Sequence, residues 1–396
     1  MKKTIILLTA LLYSGGMFAQ DYKDKSLFEK VTNIEKKTDK MNVHIDFAGS
    51  ARSERDVRTK VWNNSLGTRH FRINVQGRLT DKLSYRFRQV INRLPKMDDS
   101  KFTTCTDFMF LAYDFNEKFF GTVGKVAQQW GGYEFDANPV HIYDYSDFIG
   151  SGNTVGFVAG VNFGMHLSPG NDLIFQVTNS RDRSFENEMK RYAASGIDFT
   201  HRDSNAPFTY TLAWNGSLLD GRLHTRWGGG LIQELDNKCG YFIGLGERLD
   251  LGRFQITTDY MIEKDDLDHF GIASCERGLS QLESITNTKY AGKDIMSGAV
   301  YDAFLAKFDY QPADGWNLWF KGGYETGSVE DVKEFKDYRK SYMYGGGIEY
   351  YPSTPQEIRI FAAYMGKHTD FSDECKIKDF NRNRVEVGFM CRLNIF

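Results

Sequence analysis

Residues 68–92, TRHFRINVQGRLTDKLSYRFRQVIN, alternate almost without a break. Phe71, Ile73, Val75 and Leu79 fall on one face, and His70, Arg72, Asn74, Gln76 and Arg78 on the other. After Thr80-Asp81-Lys82 the rhythm resumes, with Leu83, Tyr85, Phe87 and Ile91 against Ser84, Arg86, Arg88 and Asn92. Extended chains place successive side chains on opposite faces, so two such runs around a short polar turn predict a β-hairpin. One face of this hairpin is oily and the other strongly basic. The oily face is either the dry interior of a soluble sandwich or the lipid-facing exterior of a barrel.

The pattern continues to the end of the chain. Sixteen alternating segments lie near 42–49, 68–79, 83–93, 104–114, 119–127, 154–167, 172–180, 207–216, 223–233, 240–249, 253–261, 299–310, 316–325, 341–351, 356–366 and 383–396. Short turns rich in Asp, Asn, Gly and Pro fall at 80–82, 115–118, 168–171, 217–222, 250–252, 311–315 and 352–355. Longer polar connections fall between them at 50–67, 128–153, 181–206, 262–298, 326–340 and 367–382. Strands of about 9–11 residues with short turns at one rim and long loops at the other describe an all-β, transmembrane antiparallel β-barrel. Closure leaves no unpaired backbone edge, which lipid does not tolerate. Tyr310 and Trp316 bracket one short turn, and Tyr350-Tyr351 precede another, as an interfacial aromatic girdle requires. The oily face is therefore assigned to lipid and the basic face to the lumen. Gly77 is expected to face Tyr85 across the hairpin, and Gln89 is a polar misfit in the lipid-facing set. It implies either a local slip of register or a wall covered by a neighbouring subunit.

The N-terminus, MKKTIILLTALLYSGGMFAQ, has a basic start, an apolar stretch and a plausible cut after Ala19. Residues 1–19 are read as a secretory signal peptide and 20–41 as a short N-terminal periplasmic segment in which Leu27, Val31, Ile34 and Met41 keep helix-like spacing. Residues 42–396 form the barrel domain. Losing Lys2 and Lys3 takes the formal net charge from −2 to −4, which argues against nucleic acid as a partner. The 31 Phe and 21 Tyr, with no apolar stretch long enough for a membrane helix, fit an exported β protein. Five cysteines in an oxidising compartment are an odd number and show no CxxC or zinc-type spacing, so no metal site is expected.

With these features the sequence resembles the phosphate-selective O and P type porins, in the version found in Bacteroides-like bacteria. The resemblance is carried by GTVGKVAQQWGGYEFDANPVHIYDYSDFIG, residues 121–150, and by LSYRFRQVIN, residues 83–92. It implies a sixteen-stranded barrel in the outer membrane, commonly a homotrimer, inserted by the barrel assembly machinery and needing no cofactor. It also implies a third long loop folded inward to narrow the pore; counting the connection between the segments 83–93 and 104–114, the third long connection here is 128–153. The terminal Phe396 resembles the barrel assembly signal, although Phe389, Leu393 and Ile395 occupy the opposite face.

A diffusion channel needs an open lumen and a local field. Arg72 and Arg78 on the second strand, with Arg86 and Arg88 on the third, are the candidate anion-attracting residues, and Lys125 extends the strip. If Leu79 pairs with Leu83, Arg86 lies opposite Gln76 and Arg88 opposite Asn74. The planar guanidinium suits phosphate and carboxylate and stays charged. In loop 128–153, Trp130, Glu134, Asp136, Tyr143 and Tyr145 are the candidate constriction, with acids, Asp144 and Asp147 included, facing the basic strip across the pore. The run EKDDLDHF, 263–270, lacks the glycine and spacing of an EF-hand and reads as a solvated loop. The function expected is passive diffusion of small anionic or neutral solutes. Two rivals are weighed against it: a barrel enzyme, for which no GxSxG motif is present, and a secreted glycan-binding β protein.

Overall fold

A computed structural model of the chain describes residues 40–56, 60–94, 102–137, 141–150, 156–181, 184–194, 202–268, 272, 298–330, 335–353, 358–373 and 378–395. The expectations for residues 1–39, Cys275, Cys375 and Phe396 lie outside the described residues. Sixteen strands form one closed barrel: β1 (Asn42–Arg55), β2 (Trp62–Arg78), β3 (Leu83–Val90), β4 (Thr106–Asp114), β5 (Phe119–Ala127), β6 (Phe157–Ser168), β7 (Asn171–Asn179) and β8 (Phe208–Leu218) make one half. The other half is β9 (Leu223–Ile232), β10 (Gly240–Asp250), β11 (Phe254–Asp265), β12 (Ala299–Tyr310), β13 (Trp316–Val329), β14 (Arg339–Ser353), β15 (Ile358–Phe371) and β16 (Phe380–Asn394). Among the described residues, three helical segments, α1 (Tyr133–Asp136), α2 (Asp147–Gly150) and α3 (Phe185–Ala194), lie in the long connections. Neighbours in sequence pair antiparallel, and β1 closes on β16 with His44 opposite Asn394 and Arg55 opposite Asn383.

Burial answers the question posed by the alternation. Phe320 on β13 is 62% exposed and Val123 on β5 is 56% exposed, while the charged Glu349 on β14 is 2% exposed. This is the inverse of a soluble sandwich. The apolar rows meet lipid and the charged rows meet the interior, because only an outward apolar surface can sit in acyl chains without a desolvation penalty. Trp316 stacks beside its register partner Tyr350 near the short turns, with ring centroids 4.7 Å apart. Tyr324 does the same with Tyr342 towards the long loops, at 5.2 Å. Eight residues separate Trp316 from Tyr324 along β13. At about 3.4 Å each and a tilt of about 40°, they span about 21 Å of membrane normal, close to the ~25 Å apolar band of such barrels.

Several strands run past this band. β1 reaches Arg55 and β2 begins at Trp62, so most of the expected loop 50–67 is a projecting hairpin. Both faces of Trp62–Thr68 are exposed, so the sequence there carries no alternation to read. The register of the first hairpin is as expected: Asn74 faces Arg88, Gln76 faces Arg86 and Gly77 faces Tyr85. The misfit at Gln89 is a local slip. The β3–β4 ladder shifts between Arg88 and Gln89, and the Gln89 side chain accepts a hydrogen bond from Thr106 Oγ1 at 2.8 Å.

Candidate functional site

The lumen wall formed by β16, β1, β2 and β3 is laid out in register rows. One row runs Arg392, Asp46, Arg72; the next runs Asn394, His44, Asn74, Arg88; a third runs Asn42, Gln76, Arg86. Arg392 Nε donates to Asp46 Oδ1 at 2.8 Å. Arg72 and Arg88 both donate to Asp107 Oδ2, at 3.2 and 2.9 Å. Asp107 comes from β4, where Arg88 faces Phe108 and Gln89 faces Thr106, leaving Asp107 as the extra residue of a β-bulge. The bulge re-aims a residue whose strict alternation would send it to lipid. Arg86 Nε donates to Asn74 Oδ1 at 3.0 Å, and its guanidinium lies 4.3 Å from the Phe108 ring centroid. Three of the four guanidinium groups therefore bond two carboxylates, and Arg86 has an amide oxygen instead.

The connection after β5 folds into the barrel. Trp130 packs edge-on against Phe242 of β10, with centroids 4.3 Å apart. Gly131 has φ of 77°, and a Cβ there would meet the Gly244 carbonyl oxygen at 2.4 Å and the Gly228 nitrogen at 2.6 Å. Only a glycine lets the loop backbone lie this close to the wall. Two wall carboxylates then fix the two turns of the loop. Asp259 of β11 accepts the Tyr133 and Glu134 amides at the start of α1, at 2.5 and 2.8 Å. Glu325 of β13 accepts the Asp147 and Phe148 amides at the start of α2, at 3.0 and 2.9 Å. Each carboxylate meets the orphan donors and the positive end of a helical turn.

Between these anchors the loop side chains are tied to the β13–β16 wall. Glu134 accepts from Lys321 and from the Ser146 amide. Asp144 pairs with Arg382 at 2.7 Å, and Asp147 with both Arg339 and Lys367. Tyr143 stacks on Trp319 at 4.8 Å with planes 3° apart, and its hydroxyl donates to Glu349 at 2.6 Å. The Tyr145 carbonyl accepts from Lys367 Nζ at 3.1 Å. Burial opposes ionisation of Asp147, but Lys367 and Arg339 outweigh it and hold its carboxyl well below the ordinary range. Burial likewise opposes ionisation of Asp144, and Arg382, Lys367 and Arg384 again overcome it. Burial, aided by Arg359 and Arg392, keeps His141 neutral. A loop with this many satisfied contacts is a built part of the lumen.

The family model for phosphate-selective porin O and P matches residues 40–393. The chain belongs to this family. Solved structures with the same fold include the outer membrane channel DcaP of Acinetobacter baumannii, with TM-score 0.61 and 12% identity over 91% of this chain and 99% of that one. OmpT of Vibrio cholerae follows, with TM-score 0.53 and 12% identity over 91% and 100%. OmpF of Salmonella typhi, in complex with daunomycin, gives TM-score 0.53 and 11% identity over 88% and 97%. A search of curated proteins finds no match. The protein is an outer-membrane porin, a β-barrel channel for small solutes.

Within the porin, the sequence-derived residues separate into groups. Arg72, Arg86 and Arg88 come together as one strip, whereas Arg78 is exposed at the short-turn rim and paired with Asp114. Lys125 does not join the strip. It is buried, with its ammonium donating to the Thr103 carbonyl at 3.3 Å and lying over Phe102, so the β3–β4 connection holds it. Trp130, Glu134, Tyr143 and Tyr145 do lie inside the barrel, and Asp136 pairs with Arg226 of β9 at 2.9 Å. The expectation that the loop acids face the arginine strip is corrected. They meet a second basic set, Lys321, Arg339, Lys367, Arg382 and Arg384, on strands that closure brings round from the far end of the chain. The solvated-loop reading of 263–270 is also corrected over its described residues, 263–268. β11 continues to Asp265, and Glu263, Asp265, Asp266 and Asp268 are all buried. The continued alternation Met261, Glu263, Asp265 was the available signal.

Proposed function

We propose that this porin is an anion-leaning diffusion channel for small hydrophilic solutes of the phosphate or carboxylate class, and that the inward loop is its constriction. The observation that carries the reading is the imbalance on the β16–β4 wall: Arg72, Arg86, Arg88 and Arg392 against Asp46 and Asp107. An unbalanced positive strip in a low-dielectric cleft raises the local concentration of anions and speeds their entry. The loop supports the constriction reading because it crosses the lumen to contact β10, β11, β13, β14, β15 and β16. Assembly as a homotrimer by the barrel assembly machinery belongs to the same proposal, and the mass of the purified detergent complex tests the trimer.

The decisive experiment for ion preference is the reversal potential of single channels in a planar bilayer under a potassium chloride gradient. A potential displaced towards the chloride equilibrium value is expected. A potential displaced towards potassium, or none, overturns the anion preference.

A further inference from the structure

Arg86 differs from the other three guanidinium groups of the strip. Arg72 and Arg88 are held by Asp107 and Arg392 by Asp46, whereas Arg86 donates to the neutral Asn74. Among the described residues no carboxylate hydrogen-bonds it. The wall beside it changes character. Phe108 lies beneath the guanidinium, and Phe110 is its direct register partner on β4. The next inward positions, Ala112 with its partner Thr122 and Gly124 with its partner Phe110, carry no charge. Phe120 then lies flat over Gly164, where a Cβ would meet the ring at 2.0 Å, and stacks on His166 at 4.9 Å.

Arg86 and Arg88 both lie over Phe108, which packs edge-on against Phe110, so Phe110 is the ring beside the fork. A charged fork next to an aromatic ring is wasted on inorganic phosphate, which has no apolar body to bury. A carboxylate attached to a flat ring uses both parts: the fork takes its two oxygens in parallel, and the ring packs against phenylalanine. We infer that Arg86, Phe108 and Phe110 form a docking site for arylcarboxylates inside the channel. This rests on the anion-leaning reading and narrows its solute class.

The test uses the full-length porin in planar bilayers, with sodium benzoate, sodium acetate and sodium phosphate each added to a chloride background. Benzoate is expected to halve the chloride current at a concentration about tenfold below that of acetate or phosphate. Phe110→Leu keeps an apolar side chain but removes the ring, and is expected to raise the benzoate value about fivefold while leaving acetate unmoved. Arg86→Gln is expected to raise the values for all three anions. Heat-modifiable gel mobility identifies variants that still form the barrel. Equal potency of benzoate and acetate in the wild type, or a Phe110→Leu channel that keeps the wild-type benzoate value, overturns the docking site. The reversal potential recorded in the same bilayers separates the two claims: a chloride-directed potential with no benzoate advantage sinks the docking site alone. A potassium-directed potential sinks the anion preference on which it stands.

Discussion

Two arcs of the same lumen wall use the same residue types to opposite ends. On β13–β16 the cations are consumed: Lys321 by Glu134, Arg339 and Lys367 by Asp147, Arg382 by Asp144 and Arg359 by Glu349. In the strip of Arg72, Arg86, Arg88 and Arg392 on β16–β3, three guanidinium groups bond two carboxylates and the fourth, Arg86, has only an amide oxygen. The first arc is structural. Its charges left bulk water and regained what that cost through paired, hydrogen-bonded geometry. The second arc is left with net charge, and only an unbalanced charge produces a field that a passing ion feels. Counting basic residues on lumen strands therefore says little about selectivity until their partners are known.

The largest expected effect comes from breaking the structural arc. Asp147→Ala leaves Arg339 and Lys367 buried without their carboxylate, a loss of about 3–5 kcal/mol. The segment from His141 to Gly150 is expected to leave the wall, giving a larger single-channel conductance and new protease cleavage within it. Wild-type conductance together with full protection would show that the ion pairs do not hold the loop. A smaller effect in the same direction is expected from Gly131→Val. A side chain at φ of 77° is strained by about 1–3 kcal/mol, and it also strikes the backbone of Gly244 and Gly228. The check is again conductance, with heat-modifiable mobility confirming that the barrel has closed; an unchanged current refutes close packing of loop against wall.

The difference between the arcs also explains what the sequence made legible. The sixteen strands were readable because lipid outside and water inside force a period of two on every crossing. The first hairpin's register followed from Leu79 and Leu83, whose backbones pair across the turn at 2.8 Å. The partners of the lumen charges were not readable. Asp107 sits at a lipid-facing parity in the alternation Asp107, Met109, Leu111, and only the bulge turns it inward. Glu134, Asp144 and Asp147 of the inward loop find bases 187 to 238 residues away, because closure of the barrel and not local pattern decides which wall the loop meets. Asp259 and Glu325 look like ordinary polar lumen residues until the amides they accept are seen. Gly131-Gly132 and Gly228-Gly229-Gly230 were a visible hint of close backbone approach that the pattern of charges overshadowed.

Sharpening the functional arc needs a substitution that alters balance without emptying a site. Asp107→Asn keeps an acceptor for Arg72 and Arg88 but removes one of the two carboxylates. The reversal potential is expected to move further towards chloride, and to do so more at 0.1 M salt than at 1 M, where the screening length falls from about 10 Å to about 3 Å. A shift towards potassium, or one that ignores salt, would mean that this strip does not set the pore's field.

The smallest effect expected is that of moderate acid on the structural arc. Asp144 and Asp147 have carboxyls held below their ordinary values once burial is outweighed by their basic partners. A carboxylate with a depressed folded-state pKa contributes its stabilisation above the ordinary value of about 3.9 and loses it only as pH falls through the lower one. Burial likewise lowers the pKa of His141 well below the usual imidazole value. Hydrogen exchange of the segment from Tyr143 to Asp147, corrected for the chemical rate at each pH, is therefore expected to stay flat from pH 7 to about pH 4. Protection lost in a step between pH 5 and 7 would mean that these carboxylates titrate above the ordinary range, burial outweighing their basic partners. The basic partners on β14–β16 would then be free to join the field of the opposite arc, and the contrast between the two would disappear.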